Sequence, residues 1–435
     1  MVYIFHVDAN SAFLSWSASY RVNILGDRTD LRNVASIVGG DQEKRHGIVL
    51  AKSIPAKRYG IKTGEAIVTA KEKCPSLVII PPDYNLYVKA SSALIRKLKQ
   101  YSDKVIQYSI DEAWAVFDGF ESLYGRGQMV AFAYRLKDEI RTELGFTVNV
   151  GVSTNFLLAK MAGDFQKPDQ VHTLFPDEIG RKMWPLPISE LFGVGKATEA
   201  KLHRWAIYTI GDLAKADESF IYSNLKTPGL TLQRYARGGD LEPYIYTPAA
   251  KGYGNSLTAP QDVITEAYAK HLLLSLAETI GTRLREDNVT IRVVSVHITT
   301  FEFQYFHKQR QLFTATNVTE EIYRSACEIF HDLWDGRTPI RQLGIHTTQV
   351  QTDAGRQYNL FDLQKFDRLE KLDRTIDQIR KKYGEDSIFR ACYIGSKVSH
   401  MGGGLDKERR TGVTVGIDIE KHRCTRGTNK IKKKC

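Results

Sequence analysis

The chain contains few cysteines and no long apolar segment. Five cysteines among 435 residues are odd in number and scattered, which argues against a disulfide framework and for a reducing compartment. No run of eighteen apolar residues occurs, and the N-terminus has no basic segment before a cleavable apolar stretch. These absences predict a soluble, unexported protein without membrane contact.

Two kinds of site are also missing from the sequence. His422, Cys424 and Cys435 lack a Cys-x-x-Cys pair and make a poor zinc site. The Asp-x-Glu pairs at 240–242 and 418–420 are not followed by further acids in the order that a proofreading exonuclease requires. The sequence therefore predicts neither a zinc site nor proofreading.

Positive charge is concentrated in two segments of the chain. The formal net charge is +11. Residues 1–100 carry fifteen Lys and Arg against eight acids, and residues 421–435 carry seven with no acid. Residues 251–350 are nearly balanced, with ten basic and eleven acidic residues. This distribution predicts a polyanionic partner for the first segment and the tail, although a basic surface that only provides solubility is the alternative.

Three acids stand at the ends of apolar, strand-like runs. Asp8 ends the run 2–8, and Asp111 and Glu112 form an acidic corner between two apolar runs. If these strands are neighbours, three carboxylates converge on one sheet edge, where they need compensating cations such as Mg²⁺ or Mn²⁺. Two such ions about 4 Å apart serve phosphoryl transfer. Ordinary strand-end acids are the alternative, because the chain has fifty Asp and Glu residues.

The motifs around these acids recur together in one known family. They are Asp-Ala-Asn-Ser-Ala-Phe at 8–13, Ser-Ile-Asp-Glu at 109–112, Val-Gly-Val-Ser-Thr-Asn at 150–155, Ala-Lys-Met-Ala at 159–162 and Lys-Pro at 167–168. In this order and spacing the chain resembles the Y-family translesion DNA polymerases, of the bacterial DNA polymerase IV and V kind (impB/mucB/samB type). The resemblance extends from residue 1 to about residue 393.

The resemblance implies a multidomain α+β fold shaped as a right-hand polymerase. The implied parts are a palm (1–28 and 77–174), small fingers (29–76), a helical thumb with a helix-hairpin-helix (175–245), an α/β little finger (251–351) and a C-terminal region (352–435). The implied activity is error-prone, template-directed transfer of a nucleotide from a dNTP to a primer 3′-hydroxyl, in damage tolerance and DNA repair. The implied protein is a monomeric subunit in the bacterial cytoplasm, associated with the nucleoid.

The resemblance also assigns roles within the catalytic site. Asp8, Asp111, Glu112 and the backbone carbonyl of Ala9 would hold two Mg²⁺ ions, with Mn²⁺ as the alternative metal. The helix at 154–166 would support Lys167 and otherwise be structural.

Three further residues are implied to meet the nucleotide. Lys57 and Lys167 would contact the triphosphate, and Phe13 would be the steric gate that excludes a ribose 2′-hydroxyl. From the residues alone, Phe13 is by default a core aromatic, and a solvated helix face is the alternative for the cations at 57, 58 and 62. The chain has Ile54 and Lys57 where many members have Tyr and Arg, which predicts weaker nucleotide affinity.

Two binding segments lie outside the predicted palm and fingers. Gly193, Gly195 and Lys196 resemble the DNA-gripping turn of a helix-hairpin-helix, although tight turns use the same residues. The residues Gln357, Leu360 and Phe361 of a Gln-Tyr-Asn-Leu-Phe segment (357–361) resemble a peptide that binds the sliding clamp. Docking of Leu360 and Phe361 on the protein's own core is the alternative.

Two other functions remain compatible with these features. One is a catalytically weak, clamp-tethered DNA-binding protein, which the residues at positions 54 and 57 make conceivable. The other is a palm-type nucleotide cyclase, which would use similar acids but ignore a primer-template. Turnover on primer-template DNA separates both from a polymerase.

Overall fold

The computed structural model describes residues 2–40, 47–119, 124–241, 250–352, 363–396 and 398–403. These residues fall into two compact units, 2–241 and 250–403. No helix within the described ranges is long and apolar enough to cross a membrane. The predicted clamp peptide at 357–361 and the basic tail at 421–435 lie outside the described residues.

The first unit contains two sheets and ten helices among its described residues. The strands are β1 (Tyr3–Ala9), β2 (Ser36–Gly39), β3 (Val49–Lys52), β4 (Val78–Ile80), β5 (Lys104–Gln107), β6 (Glu112–Phe117), β7 (Val148–Ser153) and β8 (Val171–Thr173). The helices are α1 (Ala12–Tyr20), α2 (Ile54–Arg58), α3 (Ile67–Lys73), α4 (Tyr84–Lys99), α5 (Arg126–Leu144), α6 (Phe156–Asp164), α7 (Ile179–Lys182), α8 (Lys196–Arg204), α9 (Ile210–Lys215) and α10 (Glu218–Ala236).

The larger sheet of this unit has the strand order β5-β6-β1-β7-β8. All seven residues of β1 are buried, because the strand is central and covered on both faces. Phe5 and Val7 join a core that contains residues of α4 and α5, whereas Ile4 joins a second core with residues of α6. Since side chains alternate along a strand, His6 and Asp8 face the α6 side with Ile4.

Helix α6 lies unusually close to strand β7. A Cβ atom added at Gly151 would lie 1.9 Å from the carbonyl oxygen of Ala159 and 2.4 Å from the backbone nitrogen of Gly163. Only glycine fits such an approach of backbone to backbone. This contact fixes α6 directly beneath the strand that pairs with β1.

The smaller sheet has the order β3-β2-β4 and its own core, which includes Ile37, Val49 and Ile67. Helix α2 follows β3 after a single residue, Ser53. The Ser53 hydroxyl accepts a hydrogen bond from the Ala56 backbone N–H at 3.1 Å and donates one to the Val34 carbonyl at 2.7 Å. This N-cap anchors the start of α2 to the sheet.

Helices α7 to α10 form the rest of the first unit. Leu202, Ile210 and Leu213 contribute to the core that also includes Trp114 and residues of α6. Helix α10 is kinked at Lys226, which has a φ of 57°, two residues before Pro228. Because this core also includes Ile4 of β1, the helical region packs on the face of the larger sheet that carries Asp8.

The second unit is a four-stranded antiparallel sheet with the order β11-β10-β12-β9. Its elements are β9 (Gly252–Val263), α11 (Glu266–Glu286), β10 (Thr290–Thr300), β11 (Tyr305–Thr316), α12 (Thr319–Leu333), β12 (Ile340–Gln351) and α13 (Leu363–Tyr383). Residues of α11 and α12 form one core with the buried side chains of β10 and β12.

Helix α13 joins the second unit through buried ion pairs with α11. Arg285 contacts Asp377 at 2.6 Å and Asp373 at 3.1 Å. Glu278 of α11 accepts hydrogen bonds from Arg380 at 2.8 Å and Arg390 at 2.6 Å. These contacts attach the helix to a surface that is not purely apolar.

Candidate active site

Three carboxylates meet at one end of the larger sheet. Asp8 of β1 is the cross-strand partner of Glu112 in β6. The backbone N–H of Ala9 donates to the carbonyl oxygen of Asp111 at 3.0 Å, so the third acid follows in register. Asp8, Ala9, Asp111 and Glu112 all line a single cavity of about 720 Å³. The structure thus brings together the acids that the sequence predicts to converge.

The Glu112 carboxylate has two positively polarised partners. His6 Nε2 lies 3.2 Å from Glu112 Oε2, and the Lys160 ammonium group of α6 also donates to this oxygen. Burial raises the pKa of Glu112, but the hydrogen bonds from His6 and Lys160 outweigh burial and lower the pKa to about 2. Lys160 also lies 5.2 Å from the ring centroid of Tyr108 and 5.7 Å from that of Phe192. Glu112 is therefore held in its charged form.

Asp8 is paired with the predicted triphosphate lysine. Lys167 donates a hydrogen bond to Asp8 and contacts Asp164 at 2.8 Å. Burial raises the pKa of Asp8, and the nearby Lys167 only partly opposes this shift. Burial lowers the pKa of Lys167, but the charge of Asp8 and the hydrogen bonds to Asp164 and Asp8 outweigh burial and raise it.

Ser109 shapes the corner that carries Asp111 and Glu112. Its hydroxyl donates to Asp111 Oδ1 at 2.6 Å and accepts the backbone N–H groups of Asp111 and Glu112 at 3.2 and 3.1 Å. A hydroxyl that bonds to the next backbone groups stabilises a tight turn. Ser109 therefore orients the Asp111 side chain.

Two asparagines hold the segment that carries Lys167. Asn149 accepts a hydrogen bond from Asn10 at 3.1 Å, and its amide donates to the carbonyl oxygens of Gly163 at 3.1 Å and Gln166 at 2.6 Å. Asn10 Oδ1 accepts the backbone N–H of Asp169 at 2.9 Å. Strands β1 and β7 thereby fix both ends of the segment around Lys167.

Phe13 lines the same cavity, from the first turn of α1. Its ring stacks on Tyr87 of α4, with centroids 4.4 Å apart and planes 6° apart. The Tyr87 hydroxyl is hydrogen-bonded to Ser17 at 3.1 Å. The aromatic side chain therefore has a fixed position against the cavity wall.

Residues of β3 and α2 form another wall of the cavity. Ile54 and Lys57 lie there, whereas Arg58 and Lys62, the other cations of the predicted triphosphate segment, are not among the lining residues. Lys52 and Arg32 line the cavity as well, and the sequence analysis did not single them out.

The predicted DNA-gripping turn lies on the surface of the helical region. Gly193 has a φ of +92°, where a side chain would be strained, and Gly195 is the N-cap of α8. Gly193, Gly195 and Lys196 are exposed. The first-turn N–H groups of a helix have no intrahelical acceptors, so this turn offers donors to an anion.

His6 and Lys160 are two further site residues to which the sequence assigned no role. Helix α6 was expected to be structural apart from supporting Lys167, yet its Lys160 contacts Glu112 directly. His6 precedes Asp8 by two residues and so lies on the same face of β1, a signal that the sequence contained. The contact of Lys160 depends on how α6 packs under the sheet, which the sequence pattern does not reveal.

The donor set at the sheet edge suits hard divalent cations. It consists of the carboxylate oxygens and the backbone carbonyl of Ala9, without any sulfur ligand. Asp8 is buried and Glu112 is half-buried, and each is compensated by a lysine in this structure. Clustered carboxylates that are partly or fully removed from water and require positive charge fit a site for divalent metal ions.

Comparisons with known proteins agree on one family. Models of the impB/mucB/samB family, of the IMS family HHH motif and of the impB/mucB/samB family C-terminal domain match residues 7–164, 176–205 and 250–360. DNA polymerase IV of Clostridium acetobutylicum is 43% identical over 392 residues, which cover 90% of this chain and 98% of the relative. DNA polymerase IV of Acetivibrio thermocellus is 37% identical over 396 residues, which cover 90% of this chain and 97% of the relative.

A solved structure has the same fold. A Y-family DNA polymerase chimera superposes with a TM-score of 0.67 at 22% identity, covering 81% of this chain and all of the chimera. The fold and the carboxylate site define a right-hand polymerase with palm, fingers, thumb and little finger. The chain belongs to the impB/mucB/samB family, the Y-family of translesion DNA polymerases.

The family membership decides between the functions left open by the sequence. The protein is a DNA-directed DNA polymerase of the translesion type, which binds primer-template DNA and dNTP. A catalytically weak binding protein and a nucleotide cyclase are not favoured. Polymerases of this family use divalent metal ions.

Proposed function

We propose that Asp8, Asp111, Glu112 and the backbone carbonyl of Ala9 hold two Mg²⁺ ions for nucleotidyl transfer, with Mn²⁺ as an alternative. The observation that carries the proposal is the convergence of three carboxylates in one cavity that also contains lysines and an aromatic wall. When bound, the metal ions would lower the pKa of the primer hydroxyl and neutralise charge on the phosphates.

The protein's own residues bind and orient the two substrates. The primer 3′-hydroxyl gives up its proton to water and its oxygen forms a bond to the α-phosphorus of the dNTP, while pyrophosphate leaves with the electrons of the broken P–O bond. Lys57 and Lys167 contact the triphosphate and offset the charge that develops on the leaving group. Phe13, held against Tyr87, lies under the sugar and leaves no room for a 2′-hydroxyl.

Other segments bring the polymerase to its template. The turn of Gly193, Gly195 and Lys196 contacts duplex phosphates without regard to sequence, which the exposure of these residues at the start of α8 supports. Gln357, Leu360 and Phe361 bind a sliding clamp, a proposal that rests on the sequence motif. The protein acts as a monomer, as its family resemblance implies, and it acts at the bacterial nucleoid, because its substrate is chromosomal DNA.

The test is primer extension with variants of the proposed metal ligands. Asp111→Asn and Glu112→Gln should each lose at least about a thousandfold in kcat, because charge compensation dominates phosphoryl transfer. Both variants should still bind primer-template DNA. Asp103→Asn, which removes an exposed acid just before β5, is the matched control and should extend primers normally. Retained extension by Asp111→Asn would overturn the assignment.

A further inference from the structure

The cavity contains more cations than its acids neutralise. Four cationic side chains line it: Arg32, Lys52, Lys57 and Lys167. Arg32 is paired with Asp30 at 2.8 Å, and Lys167 is paired with Asp8. Within the described residues, the side chains of Lys52 and Lys57 have no hydrogen bond or ion pair. These two lysines on this wall of the cavity therefore have no directly bonded counterion, although the charge of Glu65 acts on Lys52.

The backbone holds these two lysines on either side of one rigid turn. Lys52 is the last residue of β3 and pairs with Ile37 of β2. Ser53 follows, caps α2 with its side chain and accepts the Lys57 backbone N–H at its carbonyl oxygen at 3.0 Å. The distance between the two positions is thus set by a strand end and a capped helix start rather than by a loose loop.

The electrostatic environment of Lys52 is unfavourable as it stands. Its side chain is half-buried, and burial lowers its pKa, as does the charge of Lys57; the nearby charge of Glu65 opposes this shift but does not outweigh it. A partly desolvated ammonium group beside a like charge costs free energy in the absence of a counterion. An anion that contacts both lysines recovers that cost, so the pair is prepared for a polyanionic ligand.

We infer that Lys52 is a further nucleotide-binding residue, which together with Lys57 contacts the triphosphate chain of the incoming dNTP. The inference rests on the proposed function, because that proposal puts the dNTP in this cavity. The lysines are two point charges rather than a bidentate fork, so they suit a flexible chain of phosphates. Lys167 also lines the cavity and meets the chain beside its ion-pair partner Asp8.

Steady-state kinetics with a Lys52→Met variant test the inference. The KM for dNTP should rise about tenfold, the value of one charged hydrogen bond, while kcat stays within about twofold. Lys71→Met is the matched control, because Lys71 is an exposed lysine of α3 in the same region that does not line the cavity. Its KM should equal that of the wild type. Lys52→Arg, which keeps the charge, should restore most of the affinity.

A second measurement separates phosphate binding from a structural role. Inorganic tripolyphosphate should inhibit the wild type in competition with dNTP, and Lys52→Met should weaken this inhibition by the same factor as it raises KM. An unchanged KM in Lys52→Met, or an equal rise in Lys71→Met or Lys52→Arg, would overturn the inference. Asp111→Asn, measured in the same assay, separates two failures. If Asp111→Asn is inactive, a negative result with the Lys52 variants rejects only the role of Lys52. If Asp111→Asn remains active, the proposed catalytic site itself is wrong.

Discussion

At the scale of single residues, two of the three carboxylates in the candidate active site are each paired with a lysine from one short segment. Lys160 and Lys167 are seven residues apart, yet they neutralise Glu112 and Asp8 on different strands. Their positions depend on the close packing of α6 against β7 at Gly151. Charge balance in the site is therefore a property of the folded backbone and not of the acids alone.

Removal of the Lys160 charge should destabilise the protein in a pH-dependent way. Lys160→Met should reduce the free energy of unfolding by about 2–3 kcal/mol at neutral pH, because it leaves the half-buried Glu112 carboxylate with its contact to His6 but without its lysine. The pKa of Glu112 in the folded wild type is about 2, below its ordinary value of 4.5, so the pair stabilises above pH 4.5 and loses its effect as pH falls towards 2. The difference between the two proteins should shrink over that range in thermal unfolding.

The controls for this variant use an exposed lysine and the metal. Lys104→Met changes an exposed residue of β5 and should have little effect at any pH. Saturating Mg²⁺ should restore part of the stability of Lys160→Met, since a bound cation compensates Glu112. Equal destabilisation of the two lysine variants would contradict the role of the ion pair.

Truncation of Phe13 should relax the choice of sugar. Phe13→Ala removes the ring that stacks on Tyr87 and should raise the efficiency of ribonucleotide over deoxyribonucleotide incorporation by roughly a hundredfold. Phe13→Leu keeps most of the bulk and should stay close to the wild type. The ratio of kcat/KM for the two sugars is the measurement, and an unchanged ratio in Phe13→Ala would mean that Phe13 is only a core aromatic.

At the scale of elements, the sequence predicts helices well where glycine ends them. The sequence pattern predicts helices over 126–144 and 363–383, and the structure has α5 and α13 there, whose C-terminal neighbours Gly145 and Gly384 have φ values of 77° and 98°. It also predicts a helix over 10–25, where the structure has α1 continued by a π-helical turn at Arg21–Leu25 that ends at Gly26; the change of hydrogen-bond pattern leaves no mark in apolar spacing.

In the candidate site too, features that depend on local sequence could be predicted, whereas features that depend on tertiary packing could not. Asp8, Asp111 and Glu112 could be predicted because each stands at a visible strand end in a recognisable motif. The partners of these acids could not, since Lys160 and Glu112 are 48 residues apart and meet only through helix packing. Lys52 was overlooked because a single lysine at the end of a strand carries no local signal.

Helix α13 provides a prediction about the second unit alone. Arg285→Met leaves Asp373 and Asp377 without their shared cation, and the buried Asp373 already has a pKa raised by burial. The variant should lose about 3–5 kcal/mol of stability and expose α13 to solvent. Hydrogen exchange of residues 366–383 should rise.

An exposed ion pair on the same helix is the matched control. Arg374→Met breaks the 2.9 Å contact of Arg374 with Glu370 and should cost less than about 1 kcal/mol. If hydrogen exchange in α13 rises equally in both variants, or in neither, the buried pairs do not hold the helix.

At the scale of the whole molecule, catalysis and attachment to the replication machinery are proposed to belong to separate parts of the chain. The carboxylates lie in the first unit, whereas the predicted clamp peptide at 357–361 follows the last strand of the second. Substitutions in the clamp peptide should therefore leave catalysis intact, and substitutions of the carboxylates should leave clamp binding intact.

The clamp peptide can be tested on that basis. The combined change Gln357→Ala, Leu360→Ala and Phe361→Ala should abolish the stimulation of primer extension by a loaded sliding clamp. Distributive extension without the clamp should stay within about twofold of the wild type, because apolar anchors at a separate peptide contribute to that interface alone. Full stimulation in the triple variant would show that the peptide is not the clamp-binding segment.

The ion pair between Lys167 and Asp8 would couple the binding of a metal ion to the binding of a nucleotide. In the structure, Lys167 occupies the very oxygen that a metal ion would seek, so a lone cation must compete with an ammonium group for it. In the proposed site, a triphosphate would draw Lys167 away and at the same time bring oxygens that a cation shares. By thermodynamic linkage, each ligand would then tighten the binding of the other by one and the same factor. With these proposed roles, Asp8 would stay paired with Lys167 between turnovers and would be released to a metal ion only when a nucleotide is present.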